Sequence, residues 1–417
     1  MRIVKVCDLV AGQALASDVS NLRGQVIAPA GAAMSPRLLS ILRAWGVQEV
    51  TVESDPLDPP PMVDPLAVVP SSEASEVPDD AGDMTHPALL EVLAIAARLK
   101  AKTTESRAWA ISPVEANASD RSSAVARPHP SWQPISAETV AARAGTLATL
   151  PPIYFRVERA INHPASSSAD IAAVLGSDQA LSARLLRIAN SAFYGFPRRV
   201  EGIGDAVRII GTRQLHDLVL ATVVLTQFRG VDSRLVSMKS FWQHSLACGL
   251  ASRAIASLRR ETNTERYFVA GLLHDIGSLV LYQHFAERAQ VALDHHRHAN
   301  LALDQAERTI IGCDHGGVGA ALIGAWKLPQ FFREAAGNHH CQGHRSHTAG
   351  TAIIHLADLM ALALGLGSNG EERLPPFSHA AWDMVRLDVA SLGPIADQVL
   401  AQFADTQRTF FSEDGSL

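Results

Sequence analysis

Four polar residues lie in strongly apolar stretches of this sequence, where they could do chemistry. His274 and Asp275 stand side by side in "YFVAGLLHDIGSLVLY", and Asp358 lies in "TAGTAIIHLADLMALALG"; neither stretch contains Lys or Arg. His244 lies on the apolar stripe of the helical pattern in "SFWQHSLACGLASRAIASL". An isolated buried carboxylate is costly and is normally neutralised by a proton, an ion pair or a metal. The four residues therefore predict a buried polar site.

A bound metal ion is the partner that suits these residues best. Neutral imidazoles and carboxylates from different helices form a common ligand set for Zn, Mn or Fe. Three further histidines lie between the first pair and Asp358 along the chain and are candidates for a second ion: His315, His339 and His340. The alternative is a remnant of such a site that is held together by hydrogen bonds alone.

The other clustered histidines are interpreted as structural or solvated. His216 and Asp217 repeat the His-Asp dipeptide, but Arg213 lies one turn away, which predicts a solvated or surface pair. The run "DHHRHAN" at 294–300 is typical of a polar helix end or turn. His344 and His347 lie in a polar loop.

Composition excludes several classes of protein. The chain has 417 residues, of which 47% are hydrophobic and 19% charged, which is typical of a folded protein of two or three domains. A formal net charge of −6 gives no electrostatic case for nucleic-acid binding. No run of about 18 apolar residues occurs, and "MRIVKVCDLV" is too short and polar for a signal peptide. Together with four cysteines that show no paired spacing, these features predict a cytoplasmic protein that does not enter a membrane.

Shifts in composition divide the chain into three parts. Residues 1–53 alternate strand-like runs with turns and contain one helical pattern, "SPRLLSILRAWG", which predicts a small α+β module. Residues 54–134 are rich in Pro, Ser and Ala, which predicts a disordered linker. Within this linker, leucines at helical spacing behind Pro87 predict a helix at 87–102, which either docks or remains free.

Residues 135–417 predict an all-helical domain, with its core at about 135–364 and a helical extension after it. Strand-like alternation is absent there, and Asp178 is well placed to cap the second helix of "ADIAAVLGSDQALSARLLRIANSAFYG". The apolar stripe through His244 extends to Leu258. The short helix pair also fits a helix-turn-helix reading, but the lack of basic excess makes DNA binding a poor hypothesis. The fold class is therefore mainly α, with a small α+β module at the N-terminus.

These motifs resemble the HD superfamily of metal-dependent phosphohydrolases, and more closely the HDOD family. The pattern of His, His-Asp and a later Asp matches His244, His274, Asp275 and Asp358. The HDOD resemblance covers about 135–364 and lies in "LPPIYFRVERAINHP", "IANSAFYG", "AGLLHDIGSLVL" and "GAWKLPQFFREAAGNHH". Residues 1–53 resemble the module ahead of some HD-GYP domains, which hydrolyse cyclic di-GMP.

The departures from HD-GYP enzymes decide what the resemblance implies. Ser278 stands where those enzymes carry a lysine, and no Gly-Tyr-Pro signature follows His340. HDOD proteins are regarded mainly as signalling output or scaffold modules, so we expect a bacterial signal-transduction protein with signalling proteins as partners. The alternative is a metal-dependent phosphohydrolase acting on a nucleotide or cyclic dinucleotide, with Asp275 bridging two ions. Its candidates for binding phosphate are basic residues at the pocket mouth: Arg253, Lys327, Arg333 and Arg345.

Overall fold

The structure, a computed structural model, describes most of the chain from residue 85 onward and short pieces before it. The described residues are 2–5, 15–16, 19–20, 26–28, 31–32, 49–52, 85–102, 132–145, 150–191, 193–196, 198–228, 231–299, 301–340 and 348–411. The chain divides into two units, residues 1–78 and residues 79–417. The three parts predicted from composition, with boundaries after 53 and 134, remain a prediction.

The first unit contains two antiparallel strand pairs. Strand β1 (Arg2–Lys5) pairs with β4 (Glu49–Val52), with Arg2 opposite Val52. Strand β2 (Val19–Ser20) pairs with β3 (Val26–Ala28). The helix predicted at 35–46 lies outside the described residues.

The described residues of the second unit form helices joined by loops and contain no strand, and the sequence predicts this helical class for 135–417. Its helices in chain order are α1 (Pro87–Lys102), α2 (Ala137–Gly145), α3 (Pro152–Asn162), α4 (Ser168–Gly176), α5 (Gln179–Ala189), α6 (Ile203–Ile210), α7 (Thr212–Val224), α8 (Met238–Leu258), α9 (Thr264–Leu273), α10 (Ile276–His284), α11 (Ala286–Ala299), α12 (Leu303–Ile310), α13 (His315–Ala325), α14 (Gln330–Asn338), α15 (Ala349–Ala363), α16 (His379–Val385) and α17 (Leu392–Phe410). A short 3-10 helix, Val389–Ser391, precedes α17.

Local signals in the sequence explain where several of these helices begin. The Asp178 side chain accepts a hydrogen bond from the Leu181 N–H, so it caps α5 as predicted. Ser167 and Asp170 form a reciprocal capping box at the start of α4. The stripe predicted on α8 is buried from Phe241 to Ile255, but Leu258 is 53% exposed, so the prediction is wrong for its last member. Since α8 ends at Leu258, the last two residues of the helix lie beyond the core.

Helix α1 docks onto the helical unit. It contacts α15, α17 and the 3-10 helix. Ala88, Leu89 and Val92 are buried in this contact, whereas Leu90 points away and is 51% exposed. The helix predicted within the linker therefore forms with the predicted bounds. The sequence left open whether this helix docks or remains free, and the structure shows it docked.

The centre of the helical unit brings the polar residues together. Helix α8 packs against α9 and α15, and α10 packs against α13. The approach of α10 to α13 depends on Gly277, because a Cβ built there would lie 1.9 Å from the His315 carbonyl oxygen. Among the described helices, none combines the length and apolar character that a membrane crossing requires.

Candidate metal centre

Four helices bring the four residues found first in the sequence into one cluster. His244 lies on α8, Asp358 lies on α15, and the His274-Asp275 pair forms the junction where α9 ends and α10 begins. The His244 Nε2 atom lies 3.1 Å from Asp358 Oδ1 and 3.4 Å from Asp275 Oδ2. The His274 Nε2 atom lies 3.1 Å from Asp275 Oδ2 and 3.5 Å from Asp358 Oδ1. All four side chains are at most 2% exposed.

The three later histidines surround the other oxygen of Asp275. His315 is the first residue of α13, and His339 and His340 follow the end of α14. Asp275 Oδ1 lies 3.4 Å from His315 Nε2 and 3.3 Å from His339 Nε2. His340 Nε2 lies 2.6 Å from His315 Nε2. We call these seven side chains the HD cluster: His244, His274, Asp275, His315, His339, His340 and Asp358.

The protons of the imidazoles are directed away from the middle of the cluster. The Nδ1 atom of His274 lies 2.7 Å from the Gly271 carbonyl oxygen, and that of His339 lies 2.7 Å from the Ala336 carbonyl oxygen. The Nδ1 atom of His315 lies 2.6 Å from a Glu307 carboxylate oxygen. Since each of these acceptors requires a proton on Nδ1, the Nε2 atom of each neutral ring carries a lone pair that points inward.

The middle of the cluster consequently fits a cation. Several buried atoms of the cluster have no hydrogen-bond partner within the described part of the chain: both ring nitrogens of His244, Nε2 of His274 and His339, Oδ1 of Asp275 and Oδ1 of Asp358. Buried polar atoms are normally satisfied, so such a set needs an explanation. The ligand atoms of Asp275, His315, His339 and His340 all lie within 4.8 Å of one another, as do those of His244, His274 and Asp358. Two groups of this composition suit two divalent transition-metal ions.

Without metal, protons would hold the cluster together. Burial lowers the pKa of His274, but the adjacent Asp275 carboxylate outweighs it, so this pKa lies well above its usual value. Burial raises the pKa of Asp358, but the nearby His244 and His274 side chains hold it well below its usual range. Imidazolium-carboxylate pairs are therefore the metal-free form. Since metal ligands must be deprotonated, protons and metal compete for the same atoms.

Local sequence patterns did not predict three residues that support the cluster. Glu307 on α12 binds the outer nitrogen of His315 and also accepts from the His315 backbone N–H at 2.8 Å. The Asn369 side chain donates to Asp275 Oδ2 at 2.6 Å. His355 Nδ1 lies 2.9 Å from the His339 carbonyl oxygen. No local signal was available for Asn369, because "GSNGEER" contains both acidic residues and Arg373 and nothing in it names Asp275 as the partner.

The basic residues predicted to bind phosphate do not form a clamp in the described part of the chain. Arg253 donates to the Phe193 carbonyl oxygen at 2.6 Å, and its guanidinium lies 4.0 Å from the centre of the Phe193 ring. Lys327 and Arg333 are exposed, and Arg345 lies outside the described residues. No Lys or Arg among the described residues is paired with the HD cluster. Ser278 is fully buried, with its hydroxyl oxygen unpartnered among those residues.

Two of the histidine groups set aside in the sequence are more buried than expected. Asp217 is 7% exposed and accepts a hydrogen bond from the Asn263 side chain at 2.9 Å, so the prediction of a solvated or surface pair is wrong. His296, in the run predicted as a polar helix end, is fully buried with its Nε2 atom 3.2 Å from Glu371 Oε1. Both residues gain partners from distant parts of the chain. His344 and His347 lie outside the described residues.

Comparison with known proteins agrees with the fold and with the resemblance noted in the sequence. Residues 147–342 match the model of the HDOD domain, and this part of the chain is therefore an HDOD domain. An uncharacterised protein of Treponema pallidum is 25% identical over 209 residues, which cover 50% of this chain and 40% of the relative. The match thus spans well under half the length of that relative. The resemblance of residues 1–53 to the module ahead of HD-GYP domains remains a prediction.

Solved structures share the helical architecture. An HDOD domain protein of unknown function from Geobacter sulfurreducens has a TM-score of 0.55 and 24% identity, covering 66% of this chain and 98% of its own. A candidate phosphohydrolase from Shewanella amazonensis has a TM-score of 0.53 and 20% identity, covering 65% of this chain and 98% of its own. A candidate signal transduction protein from Marinobacter aquaeolei has a TM-score of 0.52 and 19% identity, covering 65% of this chain and 61% of its own. At these identities the likeness concerns the fold alone.

Proposed function

We propose that this chain is a signal-transduction protein whose HDOD domain and flanking helices hold two divalent transition-metal ions and transmit a signal through protein contacts. The observation that carries the proposal is the set of inward-facing lone pairs of the HD cluster, which has no cation of its own among the described residues. One ion would be held by His244, His274 and Asp358. The other would be held by the three later histidines, and Asp275 would offer one carboxylate oxygen to each. Zn, Mn and Fe all accept imidazole and carboxylate ligands.

A regulatory or structural role for the metals is supported by the closure of the cluster. Six of its seven side chains are at most 2% exposed, and His340 alone is half-buried. Structural metal sites are typically closed by protein ligands, whereas catalytic sites keep an open position for substrate or water. Bound metal would stabilise the folded helical unit, and the surface of that unit would contact the signalling partners.

Metal content is the direct test of this proposal. We expect the purified, metal-loaded protein to retain about two divalent ions per chain after exhaustive dialysis, by elemental analysis. Asp275→Ala should lose most of this content, because the shared carboxylate serves both groups. Asp397→Ala, which changes an exposed aspartate on α17, is the matched control and should bind metal as the wild type does.

Thermal unfolding can contradict the proposed metal site. A ligand that binds only the native state must raise the apparent stability. If added Zn or Mn leaves the unfolding temperature of the metal-free wild type unchanged, and elemental analysis finds no retained metal, the cluster is a hydrogen-bonded remnant and the proposal is wrong.

A second candidate function is metal-dependent phosphohydrolysis, which one observation favours. The two oxygens of Asp275 face separate ligand groups, as a carboxylate bridging two ions would. Two ions held there would supply the Lewis acidity that hydrolysis of a phosphate ester requires. His340 is the one ligand that is only half-buried, so a path for substrate or water to the cluster would lead past it. The fold shared with the Shewanella candidate phosphohydrolase is compatible with this function.

Hydrolysis assays separate the two candidates. We expect negligible turnover of cyclic di-GMP with Mn or Fe supplied, because Ser278 replaces the lysine of related phosphodiesterases and no described cation is paired with the cluster. The assay would include a panel of mono- and dinucleotides. Turnover of any of them above about 0.1 per second, abolished by Asp275→Ala and retained by Asp397→Ala, would establish the enzyme instead.

A further inference from the structure

The loop formed by residues 365–373, which follows α15, lies directly against the HD cluster. It turns through three glycines with positive φ, Gly365, Gly367 and Gly370. Gly367 is needed for the close approach, because a Cβ there would lie 2.3 Å from the backbone nitrogen of His244. Two polar side chains of this loop, Asn369 and Glu371, are only 2% and 3% exposed. Polar groups buried to this extent need specific partners.

Asn369 points its amide at the shared carboxylate. Its Nδ2 atom donates to Asp275 Oδ2 at 2.6 Å. Its Oδ1 atom accepts from the Glu371 backbone N–H at 2.9 Å, and its carbonyl oxygen accepts from the Tyr282 hydroxyl at 2.7 Å. Because Oδ1 is occupied by an N–H donor, the amide orientation is fixed, and the NH₂ group must be the one that faces Asp275.

This hydrogen bond leaves the carboxylate able to serve two ions. A carboxylate oxygen has two lone-pair directions, and the Asn369 amide occupies one of those on Oδ2. The same oxygen lies 3.1 Å from His274 Nε2. Oδ1, which Asn369 does not contact, faces His339 Nε2 at 3.3 Å. Asn369 therefore holds the carboxylate in the rotation that presents one oxygen to each ligand group.

The same loop is connected to the support of His315. Glu371 Oε2 accepts from the backbone N–H of Leu303, the first residue of α12. Helix α12 carries Glu307, whose carboxylate binds the outer nitrogen of His315. The loop thus contacts Asp275 through Asn369 and the helix behind His315 through Glu371.

We infer that Asn369 is a positioning residue for the shared carboxylate and that occupancy of both metal positions depends on it. This inference rests on the proposed function, since it requires the HD cluster to bind metal. Without the amide, Asp275 can rotate away from one ligand group. Loss of such an outer hydrogen bond typically lowers metal affinity about 10–100-fold. We expect Asn369→Ala to retain one ion and to bind the other about 10–100-fold more weakly.

The test is a Mn(II) titration of the full chain followed by electron paramagnetic resonance. Wild type should bind two ions that are magnetically coupled through the Asp275 carboxylate. Asn369→Ala should show reduced stoichiometry and the uncoupled signal of isolated Mn(II). Asn369→Asp, nearly isosteric, preserves packing but removes the donor and adds a repelling charge, so it should show the same loss. Asn162→Ala, at an exposed position, should behave as wild type.

The possible outcomes distinguish failure of this inference from failure of the proposed metal site on which it rests. If wild type and both Asn369 variants bind two coupled ions with equal affinity, Asn369 does not position Asp275, and the proposed metal site stands. If the wild type binds no Mn(II), the proposed site and this inference both fail. If Asn369→Ala does not fold, as judged by the far-ultraviolet circular dichroism of the metal-free protein, Asn369→Asp decides the question.

Discussion

The chemistry of this protein begins with the direction in which single atoms point. His274, His315 and His339 each direct Nδ1 toward a fixed acceptor outside the cluster, so their Nε2 atoms point inward. Two carboxylates point inward as well. Lone pairs that face one another repel, and either protons or metal ions must lie between them. The residue types alone do not decide this, since the same histidines with both ring nitrogens directed away from one another could not share an ion.

At this scale we predict a pH dependence for the metal-free protein. Burial lowers the pKa of His315, but the Glu307 carboxylate outweighs it and raises this pKa to about 10. A group whose pKa is raised by folding stabilises the native state fully below its unfolded pKa, about 6.5. That contribution is lost as the pH rises toward about 10. Urea unfolding of the metal-free protein should therefore show stability falling from pH 6.5 to pH 9.5 by on the order of 1–3 kcal/mol.

A Glu307→Gln variant tests the origin of this effect. The amide keeps the size of the side chain but removes the charge that raises the pKa of His315. We expect a smaller loss of stability across the same pH range than in the wild type. Equal pH dependence in the two proteins would show that the Glu307 charge does not control His315. With metal bound the trend should reverse, because protons compete with metal as the pH falls.

At the scale of elements, the site depends on how closely helices approach one another. His274 and Asp275 stand at the junction of α9 and α10, and His315 stands at the start of α13. The contact between α10 and α13 places Asp275 and His315 within reach, and Gly277 sets its distance.

We predict that Gly277→Ala disrupts the site through this contact. The new Cβ would lie 1.9 Å from the His315 carbonyl oxygen, so the two helices must separate. Overpacking of this kind costs about 1–3 kcal/mol or more of unfolding free energy, and metal content should fall because His315 moves. The matched control is Gly324→Ala on the same α13, where a Cβ would have its nearest neighbour at 3.8 Å and should be tolerated. Wild-type stability and metal content in Gly277→Ala would contradict this account.

At the scale of the whole molecule, α1 is the element for which the structure differs most from what composition predicts. The sequence places it inside a segment predicted to be a disordered linker, and the structure packs it on α15 and α17. Leu89 is 2% exposed in this contact, and burial of a leucine side chain contributes about 1.5–3 kcal/mol.

We therefore predict that α1 stays attached after the chain is cut. Composition predicts protease cleavage on both sides of it, within 54–84 and 103–131. After limited proteolysis and gel filtration, a peptide containing α1 should elute with the helical fragment. Leu89→Ala should release it more readily, whereas Leu90→Ala, which truncates the exposed neighbour, should not. Resistance of the whole chain to cleavage would contradict the predicted linker, and release of the wild-type peptide would contradict stable docking.

The sequence by itself determined the helical class of the second unit, the bounds of α1, the cap at Asp178 and the burial of His244, His274, Asp275 and Asp358. All of these follow from local patterns. Apolar periodicity indicates which face of a helix is buried, and capping residues indicate where a helix begins. The order of residues also suggested the later histidines as a second group, although only their chemical type supported this.

Tertiary structure alone decided which polar residues meet. Asn369 lies 94 positions from Asp275, and Asp217 lies 46 positions from Asn263, so neither pair leaves a trace in local periodicity. The docking of α1 and the partner of His296 likewise come from distant parts of the chain. A buried polar side chain is stabilised by a partner in three dimensions, and the identity of that partner is fixed by helix packing and not by spacing along the chain.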